Sequence, residues 1–193
     1  MLGIFKSMIK RFHREEEGGI AVEAVLIFPM LTWAYLATFV YFDAFRSQST
    51  ALKAAFTISD AISREGDDYI TDDYITSLWF IQRFLTSSNH LPKLRVTVMS
   101  YDPDQEEYHV QWSVDKGSMG TLNDTALNTL SDQLPVMHAT EVAILVQTEV
   151  VYEPVFSIGL EAFVFENLVV TRPRFYPSQM CYSSDGSDYY ADC

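Results

Sequence analysis

The residues best placed for chemistry are Gly18, Gly19 and Glu23, between a basic head and residues 24–42, a run without one charged side chain. If the chain is cut after Gly18, Glu23 becomes the fifth residue of what remains, at the edge of a membrane-length segment. An acidic side chain at the centre of a membrane helix costs on the order of 2.5 to 3.5 kcal/mol on insertion scales, and less near the end. Something has to compensate for it.

The other reactive residue types form no constellation. His13, His90, His109 and His138 are scattered, and no pair has the helical spacing of metal ligands. Polar neighbours in an alternating strand make His109 a solvated side chain. Asp102, Asp104, Glu106 and Glu107 suggest a calcium loop, but the glycine of the sharp turn and the distant bidentate Glu are missing. Gly117-Ser118-Met119-Gly120 lacks the pattern of a nucleophile elbow. Asn123-Asp124-Thr125 fits a glycosylation acceptor, a match common by chance. The expectation is a protein that is not an enzyme, with no catalytic residue, no metal and no cofactor.

Cys181 and Cys193 are the two cysteines, separated by a polar loop that carries Gly and Ser. In an exported domain an even count suggests one disulfide, the alternative being two unrelated thiols. Closing so short a loop stabilises by about 3 kcal/mol in the chain-entropy model, by restraining a tail that would otherwise fray.

These residues need a helix to position them. Residues 24–42 span about 28 Å at the helical rise, close to the thickness of a bilayer core. Pro29 should bend or loosen this span, and Tyr41 suits its outer interface. Lys6, Lys10, Arg11 and Arg14 precede it, which favours a cytoplasmic N-terminus and translocation of everything after Phe42. A cleavable secretory signal would have a shorter apolar region and a small-residue cleavage site. An uncleaved signal anchor explains the topology but neither the Gly-Gly pair nor Glu23.

Beyond the span, Ala51, Ala54, Ala55, Ile58, Ala61 and Ile62 recur at three- and four-residue spacing, opposite Lys53, Ser59, Asp60 and Ser63. One helix over residues 20–64 is therefore expected, half in lipid and half in a soluble domain. The chain has a formal net charge of −13, and the segment after the span is strongly acidic. Phosphate binding needs Lys and Arg, so nucleic acid is excluded as an expected partner. Residues 43–193 suffice for one domain with its own core.

A basic leader ending in Gly, a Glu five residues after the cut and an apolar span that continues as an amphipathic helix together resemble a type IV prepilin. A strand ending Val150-Val151-Tyr152-Glu153-Pro154, an apolar segment, and then Val169-Val170-Thr171-Arg172-Pro173-Arg174 resemble the TadE/TadF pseudopilins of tight-adherence (Flp-type) pilus systems. The likeness covers the N-terminal third and residues 141–175. It implies cleavage by a prepilin peptidase between Gly18 and Gly19, and pairing of Glu23 with the new amine of Gly19 on a neighbouring subunit. It also makes Arg172, Pro173 and Arg174 a family motif. Ala24 stands where major Flp pilins usually have Tyr, which favours a minor subunit. The implied partners are sibling pilins or pseudopilins, the inner-membrane assembly platform, the peptidase transiently, and membrane lipid.

The implied order is a cytoplasmic leader (1–18), a span (19–42) and a periplasmic α+β domain (43–193). Two glycines also keep the backbone at the cut extended and open. In the domain, Thr71 should cap a helix ending near Asn89, with Tyr74, Leu78, Ile81 and Leu85 as a buried stripe widened by Ile75 and Trp79. Leu94, Val96 and Val98, then Tyr108, Val110, Trp112 and Val114, alternate as a hairpin about Asp102-Pro103-Asp104. A helix is expected over 121–134, ended by Pro135. Val142, Ile144, Val146, Val150 and Tyr152 form the longest strand, and 168–176 an edge strand because Pro173 cannot donate to a ladder. Residues 155–165, apolar on every side, suit a buried helix or a partner surface, and burial is favoured. The fold expected is α+β and pilin-like, a long N-terminal helix packed on a small antiparallel sheet with additional helices.

Overall fold

Between Gly19 and Gly66 the only helix-breaking residue is Pro29, and the chain forms one α-helix, α1 (Gly19–Ser63), that accommodates it. The computed structural model describes residues 19–66, 69–139, 141–175, 179–186 and 191–192. After α1 come β1 (Tyr69–Thr71), α2 (Asp72–Thr86), β2 (Lys93–Asp102), β3 (Glu107–Lys116), α3 (Asp124–Asn128), a 3-10 turn (Ser131–Gln133), β4 (Val142–Tyr152), β5 (Phe163–Thr171), β6 (Cys181–Ser183) and β7 (Ala191–Asp192). The class is α+β. Two compact units result, one holding α1 up to Asp43 with Pro154–Leu160, the other Ala44–Glu153 and the chain from Glu161 onward.

In the first unit most apolar side chains of α1 face outward, Ala37 and Val40 being the buried exceptions. Ile20 is 81% exposed, and Val25, Leu26, Phe28, Met30, Leu31, Trp33 and Tyr35 are all more than half exposed. The helix is long and apolar enough to cross a membrane once. Thr32 and Thr38 donate their hydroxyls to the carbonyls of Phe28 and Ala34 at 2.8 Å, so these polar side chains satisfy themselves on the helix. Pro154–Leu160 has no helix or strand, and Val155 and Phe156 are exposed. The expected burial of 155–165 is therefore overturned for most of its length. Only Phe165 is buried there, as part of β5.

The second unit is built on an antiparallel sheet in the order β3-β2-β4-β5. Ala51, Ala54, Ala55, Ile58 and Ile62 of α1 are buried as the periodicity requires, but so are Ser59 and Ser63, which were expected on the opposite side. Ile58 and Ile62, with Ile75 and Leu78 of α2, cover one sheet face at Leu94, Val96, Val98, Trp112, Val142, Ile144 and Val146. Burying each such aliphatic side chain contributes about 1.5–3 kcal/mol relative to exposure. The opposite face carries Met99, Tyr108, Ala143 and Leu145 and is covered by Leu127, Leu134 and Met137. The sheet thus lies between two apolar layers.

That second layer accounts for a departure in β3. Val98 pairs with Trp112 but Met99 with Val110, so Gln111 bulges out of the ladder. The extra residue reverses the facing of the strand. Trp112 and Val114 join the helical layer, whereas Tyr108 and Val110 join the other. Unbroken alternation had put all four on one face.

α2 starts where expected, with Thr71 accepting from the Tyr74 amide, but ends at Thr86. Its buried face is Ile75, Leu78 and Gln82, while Ile81 and Leu85 are exposed beside Phe80 and Phe84. Gln82 is held there by donating to the Lys93 carbonyl at 3.3 Å. The helix expected over 121–134 is reduced to α3 and the 3-10 turn. Two of its side chains serve β3 instead. Asn128 accepts from the Tyr108 amide and donates to the Tyr108 carbonyl, both at 2.8 Å, and Asp124 accepts from the Val110 amide at 2.7 Å. β5 is the expected edge strand, shifted toward the N-terminus so that it stops before Arg172. β6 pairs in parallel with β1 and antiparallel with β7 in a small second sheet that the sequence does not announce.

Candidate functional site

Gly19 is the first residue of α1, and Glu23 lies one turn further on. Residues four apart share a helix face, so the Gly19 end and the Glu23 carboxylate lie on one side. Glu23 is exposed and has no ion-pair partner among the described residues. Gly18 lies outside them. Around Glu23 the exposed neighbours are Ile20, Val22, Leu26 and Ile27, so the carboxylate sits in an apolar surface.

Arg172, Pro173 and Arg174 are brought together with the end of α1, within the second unit. The last turn of α1 contains no basic residue, although its free carbonyls favour a positive charge there. Arg174 supplies both kinds of partner from the distant end of the chain. Its amide donates to the Ser63 carbonyl at 2.8 Å, and its guanidinium to Asp60 at 3.0 Å. Asp60 also holds Arg64 at 2.9 Å. One turn back, the hydroxyls of Ser59 and Thr171 are 2.9 Å apart. Pro173 is buried, and Arg172 turns to Glu141 before β4, donating at 3.4 Å with a second charge contact at 3.1 Å. The motif ties the edge strand to the helix terminus, a role that spacing alone does not reveal.

Cys181 opens β6, half-buried and paired in register with Tyr69. There is no free cysteine among the described residues, and Cys193 lies outside them. Nearby, Lys116 donates to both carboxylate oxygens of Asp72 at 2.8 and 2.7 Å, and the Tyr182 hydroxyl donates to the same group at 3.0 Å. The Lys116 hydrogen bonds hold the Asp72 carboxyl below its usual range. This network links α2, β3 and β6, and its residues are far apart in sequence, so no local motif signals it.

Several of the remaining reactive groups bond within the fold. His109 contacts Asp124 at 3.1 Å instead of standing free in solvent, and His90 contacts Glu153 at 3.3 Å. The Val110 amide and His109 keep the Asp124 carboxyl below its usual range. Asp102 accepts from the amides of Asp104 and Gln105 at 2.9 and 3.4 Å, closing the hairpin turn with a carboxylate that a calcium site would need. In the segment from Gly117, Asp115 accepts from the Met119 and Gly120 amides at 3.0 and 3.1 Å. No group of three His, Cys, Asp or Glu able to hold a metal ion occurs among the described residues. His13 lies outside them.

The candidate residues thus fall into two places, a carboxylate at the head of α1 and a guanidinium clamp at its end. Compared with known proteins, the chain matches no family model, no curated protein and no solved structure.

Proposed function

We propose that this chain is a minor pilin or pseudopilin of a tight-adherence type IV pilus, acting in initiation, capping or coupling of assembly. A prepilin peptidase cuts after Gly18, and residues 19–42 hold the product in the bacterial inner membrane with the domain 43–193 in the periplasm. The observation that carries this reading is the head of α1, where Glu23 lies one turn after Gly19 on an exposed apolar helix. The amine of Gly19 on a neighbouring subunit pairs with Glu23, each charge reducing the other's desolvation cost. Losing one partner of such a pair costs about 3–5 kcal/mol. Sibling pseudopilins meet through α1, the assembly platform engages the span, and a Cys181–Cys193 bridge restrains the C-terminal loop in the oxidising periplasm.

Intact mass and N-terminal sequencing of the protein from its native membrane should give a start at Gly19, and Glu23→Ala should abolish pilus assembly while leaving the domain folded. A full-length N-terminus together with normal pili in the Glu23→Ala strain would overturn the proposal. The chain would then be an uncleaved, membrane-anchored scaffold or binding protein.

A further inference from the structure

The connection between β4 and β5 is apolar where a solvent-facing loop ordinarily is not. Pro154-Val155-Phe156-Ser157-Ile158-Gly159-Leu160 contains no charged residue and is bracketed by Glu153 and Glu161. It belongs to the same compact unit as the apolar half of α1. The Phe156 ring meets the Phe39 ring edge-on with centroids 6.5 Å apart, three residues before Phe42 ends the uncharged run. Yet Val155 is 70% and Phe156 43% exposed, so contact with the helix leaves much of the loop's apolar surface uncovered.

We infer that this loop is a second membrane-contacting element, one that enters the outer interface of the bilayer beside Phe39. Lipid is the occupant that these observations favour, because the loop lies against the very stretch of helix whose exposed apolar side chains need lipid. An apolar surface continuous with a span shares its solvent. Glu153 and Glu161 limit the depth, since carboxylates resist entry into hydrocarbon. Val155 and Phe156 provide the apolar contact, and Gly159, with φ at +78°, allows the chain to turn back. The inference rests on the span assigned above, and the experiment separates the two.

The photoreactive residue p-benzoylphenylalanine, placed singly at Val155, Leu31 or Val136 of the full chain, is irradiated in vesicles of phosphatidylethanolamine and phosphatidylglycerol. Adducts are then identified by mass. Val136 is 76% exposed in the sheet-bearing unit and serves as the comparison. Lipid adducts at position 155 should approach the yield at position 31 and exceed that at position 136 several-fold. Lipid adducts at 31 but only protein adducts at 155 would overturn the inference in favour of a neighbouring chain on the loop. Yields at 155 no higher than at 136 would overturn it as well. Absence of lipid adducts at 31 would remove the span itself, and the inference with it.

Discussion

The two halves of α1 share one backbone conformation and differ in almost everything else. Up to Tyr35 the apolar side chains point outward on all sides, Phe28 and Met30 as exposed as Val25 and Leu26, and before Asp43 only Ala37 and Val40 are buried. From Ala44 they narrow to a stripe, and Ala51, Ala54, Ala55, Ile58 and Ile62 are buried. A helix that is apolar all round belongs in lipid or a core, whereas a one-sided helix belongs against a folded layer. One helix therefore carries two surface patterns, the first long and apolar enough to cross a membrane and the second one-sided against a folded layer.

The sharpest way to break this comparison is to truncate one aliphatic side chain in each half. Ile58→Ala should destabilise the sheet-bearing unit by about 2–5 kcal/mol, the usual range for a buried Ile. Leu31→Ala should leave that unit within about 0.5 kcal/mol of wild type, as expected for a position outside its core. Urea titration of the detergent-solubilised chain, followed by tryptophan fluorescence, measures both. Equal losses would mean that the halves are not distinct.

A smaller effect tests how the outer half is fastened. Arg174→Ala removes the contact to Asp60, in which both side chains are about half exposed, and should cost about 0.2–1 kcal/mol in the same titration. Arg174→Lys should restore only part of it, because an ammonium does not reproduce the planar guanidinium contact.

The smallest effect is a dependence on pH. Asp72 has its folded pKa depressed below the ordinary 3.8, principally by the Lys116 hydrogen bonds. Its stabilisation is present above the unfolded value and is lost as pH falls through the folded value. Asp72→Asn should accordingly be less stable than wild type at neutral pH, and the difference should shrink as the pH is lowered below about 4. Paired unfolding curves across that range provide the measurement. A difference that persisted unchanged in acid would assign the loss to packing.

What was legible in the sequence follows a physical division. The stripe on α1, the Thr71 cap and the hairpin strands are local patterns, and each lies where local reasoning puts it. Positions decided by a second layer were harder to read. Trp112 and Tyr108 keep the same spacing that an unbroken strand would give them, and only the bulge at Gln111 separates their faces. Gln82 takes a core position that apolar periodicity gives to Ile81 or Leu85, because a carbonyl on β2 is there to receive it. Residues 121–134 have helical spacing, but Asp124 and Asn128 are committed to β3. The Arg172 and Arg174 motif was visible as a pattern, while its partners Glu141 and Asp60 became apparent only in three dimensions. Glu23 stands where sequence put it, at the head of α1.

The side chains of Asp124 and Asn128 on β3 also bear on how copies of this chain can associate. A membrane concentrates anchored proteins in two dimensions, a setting in which an open sheet border invites end-on recruitment of a neighbour's backbone and irreversible clumping. Along Tyr108 and Val110 that border is already occupied by the chain's own carboxylate and amide. Along these residues the border offers a neighbouring backbone no template, because its amides and carbonyl are already bonded within the chain.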